Sequence, residues 1–263
     1  MSRARRVLGA LLAAAGLAAV VDAALTTAWQ EPIGALQASA AQDDLSERYA
    51  ARYAAIQARF ADARLTSART TMVARARTAR RLDTTTQAGE PIGRLRIRRI
   101  GLSAVWVQGT DAASLTKAPG HYAGTALPGR RGTVGIAGHR STHGAPFRKL
   151  NVLDPGDRIQ VSMPYGAYEY AVERTRIVSP EQAEVLRTAR SDRLVLTACH
   201  PVWSARQRIV VIARLVRWPN ALRTAPPLTP VPATRTLVQA RAALERAPVL
   251  TASPRTSAPR SSS

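Results

Sequence analysis

The chain has 263 residues, room for one sizeable domain plus extensions, and a formal net charge of +21. The positive charge is almost all arginine: of 38 basic residues only Lys117 and Lys149 are lysines. Alanine- and arginine-rich, lysine-poor composition is what a GC-rich coding sequence tends to give, and the attraction to polyanions it brings is screened by salt. There is no zinc-finger spacing, RNA-binding aromatic motif or phosphate-loop pattern, so nucleic acid is not an expected partner.

The N-terminus reads as a membrane address. Arg3, Arg5 and Arg6 lie in a short segment, 1–6, ahead of an apolar run over 7–29, from Val7 to Trp29. A run of roughly 23 residues spans a bilayer with some tilt. Asp22 interrupts it toward the far end, where its cost falls below the roughly 2.5–3.5 kcal/mol of a central Asp. Trp29 suits the far interface, and the next basic residue is Arg48, so the charge bias puts the N-terminus in the cytoplasm and the remainder outside. The rival is a cleaved signal peptide, with small residues around Val21-Asp22-Ala23. Both readings export the chain.

Residues 30–89 read as a helical stalk and linker. Leu45, Tyr49, Tyr53, Ile56, Phe60 and Ala63 recur at spacings of four and three, one apolar stripe on a helix. A spacer helix leaning on the main domain fits this stripe. A dimerising coiled coil is the alternative, though the repeat fades after Ala63. Thr84 to Gly89 reads as a linker.

From 90 to 217 the pattern turns to short strands. Arg94 to Ile97, Val105 to Val107, Thr133 to Ala137, Arg158 to Met163, Tyr168 to Val172, Leu194 to Thr197 and Arg208 to Val216 are the candidates, with Pro and Gly between them. Pro164-Tyr165-Gly166-Ala167 reads as a hairpin turn. Ser179, Pro180 and Gln182 form a capping box ahead of a short helix over Ala183 to Ala189. Seven or eight strands at this spacing predict a β-barrel or sandwich. Residues 218–263 are rich in Pro, Ala, Arg, Thr and Ser and read as a largely disordered tail, with a short helix over Leu237 to Arg246.

The single cysteine, Cys199, ends the run Leu194-Val195-Leu196-Thr197-Ala198 and precedes His200-Pro201. Taken alone it could be a buried structural cysteine. In an exported chain it has no internal disulfide partner, and its place at a strand end suits a nucleophile. His139 follows the apolar Thr133 to Ala137 and opens a Gly- and Ser-containing loop, a suitable place for a proton carrier. His121, His143 and His200 compete with it, though His200 points to the opposite face from Cys199 on an extended chain. Arg208 opens the last apolar run. Arg206 shares its parity, and Arg208 lies nearer the run that would hold it. A guanidinium there could bond an oxyanion.

The segments Cys199-His200-Pro201 with Ser204 to Arg208, and Ala137-Gly138-His139-Arg140 followed by Phe147, Leu150 and Gly156-Asp157, resemble a sortase, most of all the class E sortases of actinobacteria. The resemblance covers about residues 90–217. It implies an all-β, sortase-type eight-stranded barrel with short helices, here preceded by a transmembrane helix and a helical stalk. It implies a membrane-anchored cysteine transpeptidase at the cell membrane, single-pass, with its catalytic domain extracellular. Such an enzyme cuts a C-terminal sorting signal, of Leu-Ala-x-Thr-Gly or Leu-Pro-x-Thr-Gly type, between Thr and Gly. It then passes the exported protein to an amine of a cell-wall precursor or pilin. Cys199 would be the nucleophile, His139 the general acid and base, and Arg208 the oxyanion and positioning residue, with no cofactor and no metal. One departure stands out. Val195 and Ala198 occupy the two threonine positions of the usual Thr-Leu-x-Thr-Cys, while Thr197 fills the variable one. Loss of the hydroxyl beside Cys199 is expected to weaken substrate positioning or lower the rate. That departure and the charge of +21 motivate the alternative, a non-catalytic sortase-like surface module that binds anionic wall polymer or an assembly partner.

Overall fold

The computed structural model describes residues 3–28, 32–62, 68–187 and 192–218. The tail beyond Trp218, with the helix expected over Leu237 to Arg246, lies outside the described residues.

Three helices come first: α1 (Arg3–Ala28), α2 (Pro32–Asp62) and α3 (Ala68–Thr85). The α1 side chains Val7, Leu8, Leu11, Leu12, Leu17 and Val20 are exposed. Among the described residues no helix is long and apolar enough to cross a membrane.

Eight strands follow: β1 (Pro91–Ile97), β2 (Leu102–Gln108), β3 (Gly120–His121), β4 (Thr133–Ala137), β5 (Arg158–Met163), β6 (Gly166–Val178), β7 (Arg193–His200) and β8 (Gln207–Arg217). They close into a barrel in the order β1-β2-β3-β4-β7-β8-β6-β5. The β2–β3 and β4–β7 pairs are parallel and the rest antiparallel. Closure leaves no long unpaired edge.

Alternation along the strands sorts side chains to two faces. On β7, Leu194, Leu196 and Ala198 join Val134 and Ile136 of β4 and Ile209 and Val211 of β8 in the barrel core. Val195, Val210 and Ile212 form a separate outer cluster with Val178, against which Val185 and Leu186 pack.

The apolar stripe of α2 lies against the barrel: Leu45, Tyr49 and Tyr53 are buried. Tyr53 donates its hydroxyl hydrogen to Pro91 O at 2.8 Å. The Gln42 amide pairs with β2 as another strand would. Val105 N–H donates to Gln42 Oε1 at 2.7 Å, and Gln42 Nε2 donates to Val105 O at 3.1 Å. Arg75 of α3 reaches the β5–β6 turn, where its Nε donates to Tyr165 O at 2.9 Å. The stretch read as a linker is partly helix, since α3 runs to Thr85. Its end is sewn to β2 by Gly89 N–H donating to Gln108 O at 2.8 Å.

One local expectation changes. Of the helix expected over Ala183 to Ala189, the described part is a 3₁₀ turn, Ala183–Leu186, and residues 188 and 189 lie outside the described residues. Half of the capping box forms, with Ser179 N–H donating to Gln182 Oε1 at 3.1 Å. The Arg193 guanidinium then takes Val185 O at 3.1 Å and Arg187 O at 2.9 Å, and the first of these is a carbonyl that a continuing helix would need for itself. Gly120 and His121, next to Ala118-Pro119, form a two-residue strand. Ala112–Lys117 is a helical turn, α4, capped by Asp111, whose Oδ1 accepts from Ser114 N–H at 2.9 Å.

Candidate active site

Register brings two of the singled-out residues face to face. On the antiparallel β7–β8 pair, Cys199 lies directly opposite Arg208. Directly paired residues share a face, with Cβ atoms about 4.5–5.5 Å apart. Arg206 precedes β8, so the parity between the two arginines is resolved by pairing. Parallel pairing of β4 with β7 sets Ala137 level with Thr197. His139 and Cys199 each stand two residues further on. Gly138 N–H donates to Thr197 O at 3.0 Å and carries the alignment forward. The order β4-β7-β8 therefore sets Cys199 and Arg208 side by side on the outer face of adjacent strands, with His139 in the loop two residues past the end of β4. All three are of intermediate exposure.

Local sequence explains the exit of β4. A Cβ on Gly138 would lie 2.6 Å from the ring of Phe147, which is fully buried. Glycine lets that ring pack beneath the histidine, and Phe147 N–H donates to His139 O at 3.0 Å to close the loop. Between them His143, Gly144 and Ala145 all have positive φ, 53°, 72° and 42°. Two of these are not glycine, and backbone strain of this kind gathers at functional sites. The turn aims His143 at His139, ring centroids 4.6 Å apart. Burial, and then the neighbouring His143, hold His139 below the ordinary imidazole value.

The competing histidines are sorted by place. His121 is fully buried, its Nδ1 2.8 Å from Gln108 Oε1, and burial pushes it down to about 4. His143 is exposed beside His139. His200 turns from the outer face, its Nδ1 2.6 Å from Arg140 Nη1. Arg208 Nη1 donates to Ala205 O at 3.0 Å and Gln207 O at 3.1 Å. Its Nε and Nη2 make no hydrogen bond among the described residues and can serve a bound group.

Other groups frame the same face. Tyr122 and Thr197 hydroxyls are 2.8 Å apart, and Tyr122, Thr125 and Leu186 close over Gly135. Beyond Cys199, Pro201 to Gln207 border an open cleft carrying the exposed Trp203, whose N–H donates to Ser141 Oγ at 2.9 Å. Sequence reasoning left out Tyr122 and Arg140. Arg140 had a readable signal, adjacency to His139 with opposite parity. Tyr122 had none, because its partner lies 75 residues away. Ala198 is 3 % exposed and faces the core, not the outer face. A threonine hydroxyl there would lie among core side chains rather than on the outer face.

A thiol and a guanidinium on adjacent strands, with an imidazole in the loop past a third, can perform acyl transfer through a covalent thiol intermediate. Residues 95–216 match the sortase domain, and over that stretch the chain is similar to known sortases. It is 31 % identical over 134 residues to sortase D of Bacillus subtilis, covering 49 % of this chain and 66 % of that protein. It is 34 % identical over 111 residues to sortase SrtE1 of Streptomyces coelicolor, covering 37 % of this chain and 32 % of that protein. The chain thus spans less than two thirds of the length of either relative. Among solved structures, sortase C of Clostridium perfringens with the C-terminal cell wall sorting motif aligns over 56 % of this chain and 89 % of its own. The identity is 18 % and the TM-score 0.50, a likeness of fold.

Proposed function

We propose that this chain is a membrane-anchored cysteine transpeptidase of the class E type, acting on a Leu-Ala-x-Thr-Gly-like signal. The observation that carries the reading is the cross-strand pairing of Cys199 with Arg208, flanked by His139 in the loop past the end of the next strand. The Cys199 thiolate attacks the Thr–Gly carbonyl carbon. The free Nε and Nη2 donors of Arg208 stabilise the tetrahedral oxyanion. His139 as imidazolium gives its proton to the glycine amine as the C–N bond breaks. A Cys199 thioester remains. An amine of a cell-wall precursor or pilin attacks that thioester, His139 takes its proton, and the thiol is released. The energy of the broken peptide bond is kept in the thioester, so an exported enzyme needs no nucleotide.

The similarity to SrtE1 supports the class. Arg3, Arg5 and Arg6 ahead of the exposed valines and leucines of α1 support an N-terminus inside, and the single-pass anchor rests on this charge order, since no described helix is by itself long and apolar enough to cross a membrane. The boundaries that go with this reading are a cytoplasmic 1–6, an anchor over 7–29, a helical segment over 30–89, a catalytic domain over 90–217 and a tail over 218–263. The inward position of Ala198 removes one motive for the non-catalytic alternative. The test is cleavage of a Leu-Ala-x-Thr-Gly peptide by the full chain. Cys199→Ala is expected to abolish it, and cleavage retained in that variant contradicts the scheme.

A further inference from the structure

Behind the outer face, the same strand ends carry a second set of polar groups. Arg140 follows His139, so alternation turns it inward, where it is 4 % exposed. Its Nη1 lies 2.6 Å from His200 Nδ1 and donates to Cys199 O at 3.4 Å. Its Nη2 donates to Asn151 Oδ1 at 3.0 Å, and its Nε to Arg148 O at 3.4 Å. A guanidinium has no acceptor, so His200 Nδ1 must accept, which makes His200 the Nε2–H tautomer. All four partners are neutral acceptors, and no carboxylate pairs with Arg140 among the described residues. A buried charge without a counter-charge is costly. A neutral amide could latch the same loop at lower cost. The charge itself therefore calls for a use: burial and the neighbouring Arg148 oppose the charged form of Arg140, and Cys199 favours it.

We propose that Arg140 is a positioning residue for Cys199: from behind the strand it fixes the Cys199 carbonyl and the His200 ring, and it places an unpaired positive charge at the back of the nucleophile's strand. The proposal deepens the reading of Cys199 as a nucleophile and rests on it. The titratable and charged groups around the thiol are Arg208 on β8, His139, Arg140 and His143 at the exit of β4, Arg148 further along that loop, and His200 on its own strand. Tyr122 bonds Thr197 on the same face. Among the acids, Glu181 feels the charge of Arg208. Among the described residues, Arg140 is the side chain that donates to the Cys199 carbonyl.

Cys199 is the single cysteine, so alkylation by iodoacetamide in the full chain reports it alone. At neutral pH, Arg140→Gln is expected to slow alkylation about tenfold, the effect of losing one nearby charge in a partly screened site. Arg140→Lys keeps the charge and loses the planar fork. It should hold the alkylation rate within about threefold, while the ring ¹⁵N shifts of His200 lose the pure Nε2–H signature. Asn151→Leu removes a latch without touching the charge and should leave the rate within about twofold. A wild-type rate in Arg140→Gln overturns the proposal, as does equal slowing in Asn151→Leu. If Arg140→Gln does not fold, Arg140→Lys decides, and a tenfold loss there overturns it. Alkylation does not need a sorting peptide. A chain with these rates that cleaves no peptide would count against the proposed function and leave Arg140's role standing.

Discussion

Ala198 stands where the resembling family carries threonine, yet its side chain lies in the barrel core opposite Ile209, with the outer face on the other side of the strand. Ala198→Thr adds a methyl and a hydroxyl to a filled interior. It should cost about 1–3 kcal/mol, read as a lower melting temperature, and leave KM for a sorting peptide unchanged. A several-fold fall in KM with unchanged melting would show that this position faces substrate. Cys199, His139 and Arg208 were legible as residue types at strand ends. Their meeting was not, because β4 and β7 are neighbours only through a pairing between residues 60 apart, Ala137 with Thr197. The tie between Arg206 and Arg208 had the same cause, and register settled it. Arg140 was hidden in plain view, since its role depends on what the inner face of β7 presents to it.

Among the elements, α2 has the larger consequence for how the site is held. Its stripe could be read from spacing, but its attachment to the barrel depends on a polar residue. Gln42 satisfies both main-chain groups of Val105 on a stretch of β2 that β3 does not reach. Gln42→Leu leaves a buried N–H and C=O without partners and should cost about 2–4 kcal/mol in urea or thermal unfolding. A loss below about 0.5 kcal/mol would mean that water replaces the amide. Short elements escaped the sequence for physical reasons. β3 has two residues, too few for any period. The turn at Ala183–Leu186 has a sound N-terminal cap, and a distant arginine, Arg193, ends it.

For the whole molecule, barrel closure buries one titratable group with a measurable effect on stability. Burial pushes His121 down from its ordinary 6.5 to about 4. Between these values the unfolded chain binds a proton that the folded chain does not. Stability is therefore highest above pH 6.5 and is lost as pH falls toward 4, by about 3 kcal/mol from this residue. Urea midpoints at pH 7.5 and 4.5 should show that loss, and His121→Gln should flatten it. An equal slope in the variant would assign the acid sensitivity elsewhere. The number and spacing of the strands made the barrel legible, whereas its closing order, with two parallel pairs, was not. The charge of +21 gave no guide to the candidate site, where Arg208 is placed by register and Arg140 by its bonds behind β7. The central claim is that Cys199 carries the acyl group. Mass spectrometry of the full chain mixed with a Leu-Ala-x-Thr-Gly peptide and no amine acceptor tests it most directly. The account predicts an adduct on Cys199 equal to the peptide cut after Thr, released by an added amine and absent in Cys199→Ala. Peptide cut by the chain with no adduct on Cys199, or cut equally by Cys199→Ala, would contradict it.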